Sequence, residues 1–374
     1  MSVFIIGEYG QDIEILQHYL RKLGMTNIQY ITTVEEALDQ LESVSKEEID
    51  FILYDAVLTN RTKIDICRQI ECLYKMSNSP IIMTVNFNEI EKLEYAFEVG
   101  LFDLIPKPMD FIHFKGRVLS ALKYREAVKL REREEEHFQS ELLLAKKVQK
   151  SALTPSLYER HIQYDGLYVP SDTLSGDMYC WFKIDENVTA ILLYDVMGHG
   201  VAASLVSMSI RSLLKDLITK CIDPVLVITE LNRQVYELFS DESEMDSFLL
   251  TAVYVLIDTK NATIQYVNAS HPHGFLFDKG GETVILSSNT PILGLFPTIR
   301  VKKETLTLAQ WNRIILYTDG IFTLNENRCF DSGQFYPYMN LENSHALKCF
   351  AEDYRLFDQH YNDDITIVSI TIGL

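Results

Sequence analysis

The chain has 374 residues, 47% of them apolar, and a formal net charge of −19, so it is too long for one typical domain of roughly 100 to 200 residues and too apolar for a disordered chain. The acidity excludes a nucleic-acid-binding surface, which needs a basic patch to displace counterions. Six scattered cysteines (Cys67, Cys72, Cys180, Cys221, Cys329, Cys349) without a C-x-x-C pair fit reduced thiols rather than a disulfide framework or a zinc site.

The start, Met1-Ser2-Val3-Phe4, enters a strand-like run rather than a signal-peptide n-region. No apolar run approaches the roughly 18 residues of a membrane span. The expectation is a soluble, cytoplasmic protein with no membrane partner and no nucleic acid.

Residues 1–120 alternate short apolar strands (Val3–Ile6, Ile28–Ile31, Phe51–Tyr54, Ile81–Thr84, Phe102–Ile105) with helices at Gln11–Leu23, Val34–Val44, Ile64–Met76 and Glu89–Val99. That alternation predicts a doubly wound parallel (βα)5 sheet covered on both faces. In such sheets the site lies beyond the carboxyl ends of the strands, which singles out Glu8, Asp55 and Lys107.

Their order resembles a two-component receiver domain. The resemblance implies that Asp55 in Leu53-Tyr54-Asp55 is the phosphoacceptor, that Lys107 before Pro108 contacts the phosphoryl group, and that Mg²⁺ can bind beside them. It also implies a sensor histidine kinase or phosphotransfer protein as donor. Two departures stand out: only Glu8 occupies the place of an acid pair, and the expected hydroxyl aligns with Val85, leaving Thr84 one position early; a receiver fold kept only as a docking module is the alternative.

Residues 121–152 hold no Pro or Gly and alternate in charge through Arg131-Glu132-Arg133-Glu134-Glu135-Glu136, as an exposed helix does. Ala121, Tyr124, Val128, Phe138, Leu142 and Ala145 form a seam of threes and fours, interrupted at Arg131 and Glu135. A continuous helix from Phe111 to Ala152 would run roughly 60 Å at 1.5 Å per residue. The expectation is a helical connector that is either a coiled coil making a homodimer or a solvated spacer.

From residue 153 to 374 the pattern turns to β-branched and aromatic strands: Gln163–Val169, Met178–Lys183, Val188–Tyr194, Phe248–Asp258, Thr263–Val267, Gly274–Phe277, Arg313–Tyr317 and Ile365–Ile372. Helices fall at Ala202–Lys220, Pro224–Phe239 and His345–Gln359. Long strands with segregated helices predict packed sheets covered by helices. Acids sit at strand ends: Asp177 in Ser175-Gly176-Asp177, Asp195 in Tyr194-Asp195-Val196-Met197-Gly198-His199-Gly200, Asp319 in Tyr317-Thr318-Asp319-Gly320, and Asp363 and Asp364 in Asn362-Asp363-Asp364-Ile365-Thr366. Carboxylate oxygen suits hard divalent cations, and phosphomonoester hydrolysis needs the charge neutralisation that such ions give.

The ordered set SGD, DVxGHG, YTDG and DDIT over roughly residues 145–374 resembles the metal-dependent protein phosphatases (PPM), of the stage II sporulation protein E type. The resemblance implies an α/β/β/α sandwich holding two divalent cations, Mn²⁺ or Mg²⁺. Asp195 would bridge them with the Val196 carbonyl, Asp177 would bind one, Asp319 and Asp363 the other, Asp364 would orient its neighbour or ligate, and His199 would donate a proton or else fix the glycine turn through hydrogen bonds. Cys180 stands where relatives carry a further aspartate, and Asn268-Ala269-Ser270-His271-Pro272 resembles an N-A-G-H-P turn. Ala145 to Pro155 resembles the family's A-x-x-V/I-Q-x-x-L-x-P entry helix, a switch element.

The function implied is a receiver-regulated serine/threonine phosphatase acting on a phosphorylated STAS-type anti-sigma-factor antagonist in partner switching. The alternatives are a non-catalytic response-regulator adaptor that binds a sigma factor or its regulator, and a dimeric scaffold.

Overall fold

A computed structural model describes residues 2–43, 49–55, 63–159, 162–239, 248–280, 282–308, 311–324, 330–339, 341 and 343–373. The chain divides into two compact units, Met1–Gln139 and Ser140–Leu374. The expected helix end at Val44 and Cys329 lie outside the described residues. Among the described residues no helix is long and apolar enough to cross a membrane.

The first unit is a five-stranded parallel sheet in the order β2-β1-β3-β4-β5. Its strands are β1 (Ser2–Gly7), β2 (Asn27–Ile31), β3 (Phe51–Asp55), β4 (Ile81–Asn86) and β5 (Leu101–Lys107), joined through α1 (Gln11–Lys22), α2 (Val34–Ser43) and α3 (Lys63–Ser77). Every residue of β3 is buried, as helices on both faces require of a central parallel strand. The register pairs Gly7 with Asp55, Asp55 with Thr84, and Asn86 with Lys107, so the carboxyl ends of these strands lie side by side.

Between β4 and β5 the expected helix is a 3-10 coil, Phe87–Ala96. Its buried Leu93 and Ala96 are three apart, a spacing that serves either helix type.

The helix α4 (Phe111–Ala152) contributes its early turns to the first unit and its last turns to the second. In the first unit Ala121 is buried in the core and the Tyr124 ring lies 5.1 Å from Phe102. Arg125, also buried, donates to the carbonyls of Ile49 and Asn78. The first half of the expected seam therefore packs on its own unit, whereas in the second half Phe138 is exposed and Leu142 and Ala145 are half-buried.

The second unit stacks two antiparallel sheets. One has the order β14-β11-β10-β9-β8, from β8 (Met178–Lys183), β9 (Val188–Val196), β10 (Leu250–Asp258), β11 (Thr263–Ala269) and β14 (Glu304–Thr307). The other runs β13-β12-β15-β16-β7-β6, from β6 (Leu157–Tyr158), β7 (Ile162–Val169), β12 (Gly274–Asp278), β13 (Thr283–Leu286), β15 (Trp311–Tyr317) and β16 (Ile365–Ile372). α5 (Gly200–Lys220) and α6 (Pro224–Phe239) cover the first sheet and α7 (Asn343–Asp353) the second, which completes the α/β/β/α layers.

α7 stops well short of the expected Gln359. Arg355 takes φ +51°, and the Leu356 amide donates back to the Ala351 carbonyl at 2.9 Å, a Schellman closure built on an arginine where glycine is usual. No glycine announced that stop.

Candidate functional site

The acids of the second unit meet because of register. Met178 pairs with Tyr194 across β8 and β9, and Tyr317 with Ile367 across β15 and β16, so Asp177 and Asp195 end one sheet while Asp319, Asp363 and Asp364 end the other. Thr318 joins the two: its hydroxyl donates to Asp177 Oδ2 at 2.7 Å and accepts the Thr366 amide at 2.9 Å.

Asp364 is saturated with donors. Ser171 gives Oδ1 its amide and hydroxyl at 2.7 and 2.9 Å, and the Gly176 amide reaches Oδ2 at 2.8 Å. Two motif glycines are there for closeness. A β-carbon at Gly176 would stand 2.8 Å from the Val196 carbonyl oxygen, and one at Gly320 would stand 2.1 Å from that of Asp364; either contact would force the acid loops apart.

Electrostatics show the same convergence. Burial, then Asp195 and Asp364, drive the Asp177 carboxyl well above its ordinary range despite hydrogen bonds from Thr366 and Thr318. Asp195 is pushed up to about 8 by burial and then by Asp319, Asp363 and Asp364, with a hydrogen bond to Asp177 opposing. Asp319 is raised by burial. Asp363 is raised by burial and by Asp319, against the pull of Asp364's amide and of His199.

The charged neighbours that Asp177 and Asp195 feel are thus all carboxylates. Among the described residues no three acidic, Cys or His side chains stand at metal-ligating separation. The donor set, all oxygen and uncompensated, fits hard divalent ions.

His199 is exposed just before α5, while Val196 is fully buried. Cys180 lies in the core with its thiol pushed up to about 12 by burial, so it offers no ligand. Ser270 takes φ +53°, which explains the glycine that the resembling turn carries there. Next to it, His271 is buried with Nδ1 2.8 Å from the Thr251 hydroxyl; burial pushes its pKa down to about 3, so the ring is neutral.

The sequence motifs did not single out Thr318, Ser171 or Gln149 as parts of the site. Gln149, in the last turns of α4, is buried and donates to the Ser175 carbonyl at 2.7 Å while accepting the Ser175 amide at 3.1 Å. Its place in the quoted entry-helix motif was the available signal.

In the first unit Asp55 is nearly buried, and both Lys107 Nζ and the Thr84 hydroxyl stand 2.5 Å from its Oδ1. Thr84 thus supplies the hydroxyl that alignment placed at Val85. Lys107 also pairs with Asp12 at 2.8 Å, an acid in the first turn of α1 absent from the sequence reading. Burial pulls the Lys107 pKa down, but hydrogen bonds to Asp12 and Asp55 outweigh it and raise it. Glu8 is exposed and shares with Asp55 the lining of a cavity of about 390 Å³.

Comparison with known proteins follows this division. The profile described as response regulator receiver domain matches residues 3–118, and that of stage II sporulation protein E (SpoIIE) matches residues 185–373, half of the chain. The chain belongs to the SpoIIE family. This SpoIIE-family chain is 38% identical over 181 residues to phosphoserine phosphatase RsbP of Bacillus subtilis, covering 48% of the chain and 45% of RsbP. It is 28% identical over 203 residues to phosphoserine phosphatase RsbU of the same organism, covering 54% and 58%. It therefore spans about half the length of the curated relatives it matches. The SiaA-PP2C domain of Pseudomonas aeruginosa shares the fold, with a TM-score of 0.55 at 20% identity over 64% of this chain and 99% of that one.

Proposed function

We propose that this SpoIIE-family protein is a metal-dependent phosphoprotein phosphatase under the control of its receiver domain. The observation that carries the reading is the set Asp177, Asp195, Asp319 and Asp363, whose pKa values are all raised by burial in an acid-rich site. A fold retains such repulsion where a cation relieves it. Asp195 and the Val196 carbonyl would be shared between two ions, Asp177 would hold one, and Asp319 with Asp363 the other. Mn²⁺ or Mg²⁺ there would neutralise the phosphoryl oxygens and acidify an attacking water.

The chain's own residues do the positioning. Thr318 fixes the Asp177 carboxylate, and Asp364, filled by Ser171 and Gly176, braces the loop that carries Asp177 rather than ligating. His199, whose charge lowers the Asp363 pKa, would give a proton to the departing serine oxygen. Water and phosphoserine become serine and phosphate.

The relatives RsbP and RsbU are named phosphoserine phosphatases, which supports phosphoserine as substrate. The family resemblance supports a STAS-type anti-sigma-factor antagonist as its carrier. Asp55 would receive its phosphoryl group from a histidine kinase or phosphotransfer protein, with Mg²⁺ beside Glu8. In the proposed division, residues 1–120 sense, 121–152 connect and 153–374 hydrolyse; exposed Phe138 with the partly exposed Leu142 and Ala145, spaced by four and three, suits a homodimer contact.

The test is phosphate release from a phosphorylated STAS protein with Mn²⁺. Asp177→Asn and Asp319→Asn should each lower turnover by about 10³-fold or more, on the scale of removing a principal electrostatic group. Unchanged turnover in both variants would remove these assignments.

A further inference from the structure

A cleft of about 740 Å³ runs within the second unit, between the last turns of α4 and the segment that follows α7. Its lining includes Lys146, Lys150 and Leu153 from and just after α4, Phe357 and His360 from the segment after α7, and Asp172 as its one carboxylate. The second unit, residues 140–374, carries 18 basic against 29 acidic side chains, so a cleft with two lysines to one acid is opposite in sign to the unit around it. Both lysines are exposed, and Phe357 is 70% exposed at the rim.

The cleft adjoins the carboxylate cluster. Ser171, also in its lining, holds Asp364 Oδ1. A β-carbon at Gly200, next to His199, would lie 3.7 Å from the Asp172 carboxylate. The loop 169–173 thus braces the acids on one side and walls the cleft on the other.

We propose that this cleft docks an acidic segment flanking the phosphoserine of the protein substrate. The identity of that partner rests on the phosphatase reading; the charge selection rests on the cleft. Lys146 and Lys150, four apart on one helix face, stand about 6 Å apart along the axis. Side chains two apart on an extended segment are about 7 Å apart on one face, so alternate Asp or Glu residues can meet both lysines. Leu153 and Phe357 then cover an apolar residue between them. A phosphatase whose own surface is acidic needs such a local reversal to hold an acidic substrate against long-range repulsion.

The test uses the full chain and two fluorescein-labelled phosphoserine peptides, one with alternate glutamates on one flank and one with lysines there. Anisotropy is read in EDTA at low ionic strength. The acidic peptide should bind at least about tenfold more tightly, and added salt should shrink the difference. The K146E/K150E double variant should lose the preference or reverse it. The K146A/K150A variant, with the parent's thermal midpoint, should lose part of it, which separates docking from misfolding. Equal binding of the two peptides, or a preference unchanged in K146E/K150E, overturns the proposal. Hydrolysis of p-nitrophenyl phosphate by the parent with Mn²⁺ tests the phosphatase reading separately: turnover with charge-blind binding removes the cleft alone, and charge-selective binding without turnover removes the enzyme alone.

Discussion

In the first unit Asp55 is nearly buried but answered, with Lys107 Nζ and the Thr84 hydroxyl each 2.5 Å from one of its oxygens. In the second unit Asp177 is just as buried, yet its charged neighbours are the carboxylates of Asp195 and Asp364. A buried carboxylate with a fixed cation is settled by the fold itself. One surrounded by other carboxylates takes up protons or draws in cations, and the price is lower stability when neither is available. The Asp55 carboxylate is therefore paired with a cation of the chain itself, whereas Asp177 has none among its charged neighbours.

The strongest way to break this contrast is to remove Asp195. In EDTA, Asp195→Asn should raise the melting midpoint of the second unit by roughly 5 °C, on the order of 2 kcal/mol, while abolishing the rise that Mn²⁺ gives the parent. Asp195 has a folded pKa raised from 3.8 to about 8, so its contribution to stability is fully present below pH 3.8 and is lost as pH rises toward 8. The parent-minus-variant stability difference should therefore fall with pH across that window in EDTA and flatten with Mn²⁺.

His271 has the opposite sign, because its pKa is lowered from 6.5 to about 3. Its contribution is present above pH 6.5 and is lost as pH falls toward 3, with or without metal. An acid limb of the melting curve that shifted with Mn²⁺ but not with His271→Gln would contradict that assignment.

An effect of similar size and opposite sign is expected on the receiver side. Lys107→Ala leaves Asp55 without its cation and should destabilise the first unit by about 2 kcal/mol, below the full penalty for a buried pair because the lysine is partly exposed. Mn²⁺ at the second unit should not restore it; full rescue would erase the distinction between the sites. The smallest expected effect is at Ser270, where Ser270→Gly relieves left-handed strain and should stabilise by about 1 kcal/mol. A drop in midpoint would show that the Ser270 side chain matters more than its backbone.

The strands and their acids were legible because the apolar runs were bounded by Asp, with Asp195 and Asp319 at the carboxyl ends of β9 and β15 and Asp177 and Asp363 just before β8 and β16. What was not legible depends on neighbours distant in sequence. Thr318 reads as a turn residue until β15 and β16 bring it to Asp177, and Asp12 reads as a helix-start acid until Lys107 reaches it. The strands β13 and β14 have only four residues each and end their sheets, too short for alternation to show. The Arg355 stop is hidden because its left-handed turn uses no glycine.

The central claim is that the second unit's acids bind divalent cations as a set. Calorimetric titration of Mn²⁺ into the metal-free full chain, beside the Asp195→Asn and Asp55→Asn variants, tests it most directly. The account expects about two tight equivalents, present in the parent and in Asp55→Asn and lost in Asp195→Asn. A parent with no tight site, or one whose tight binding survives Asp195→Asn unchanged, would contradict it.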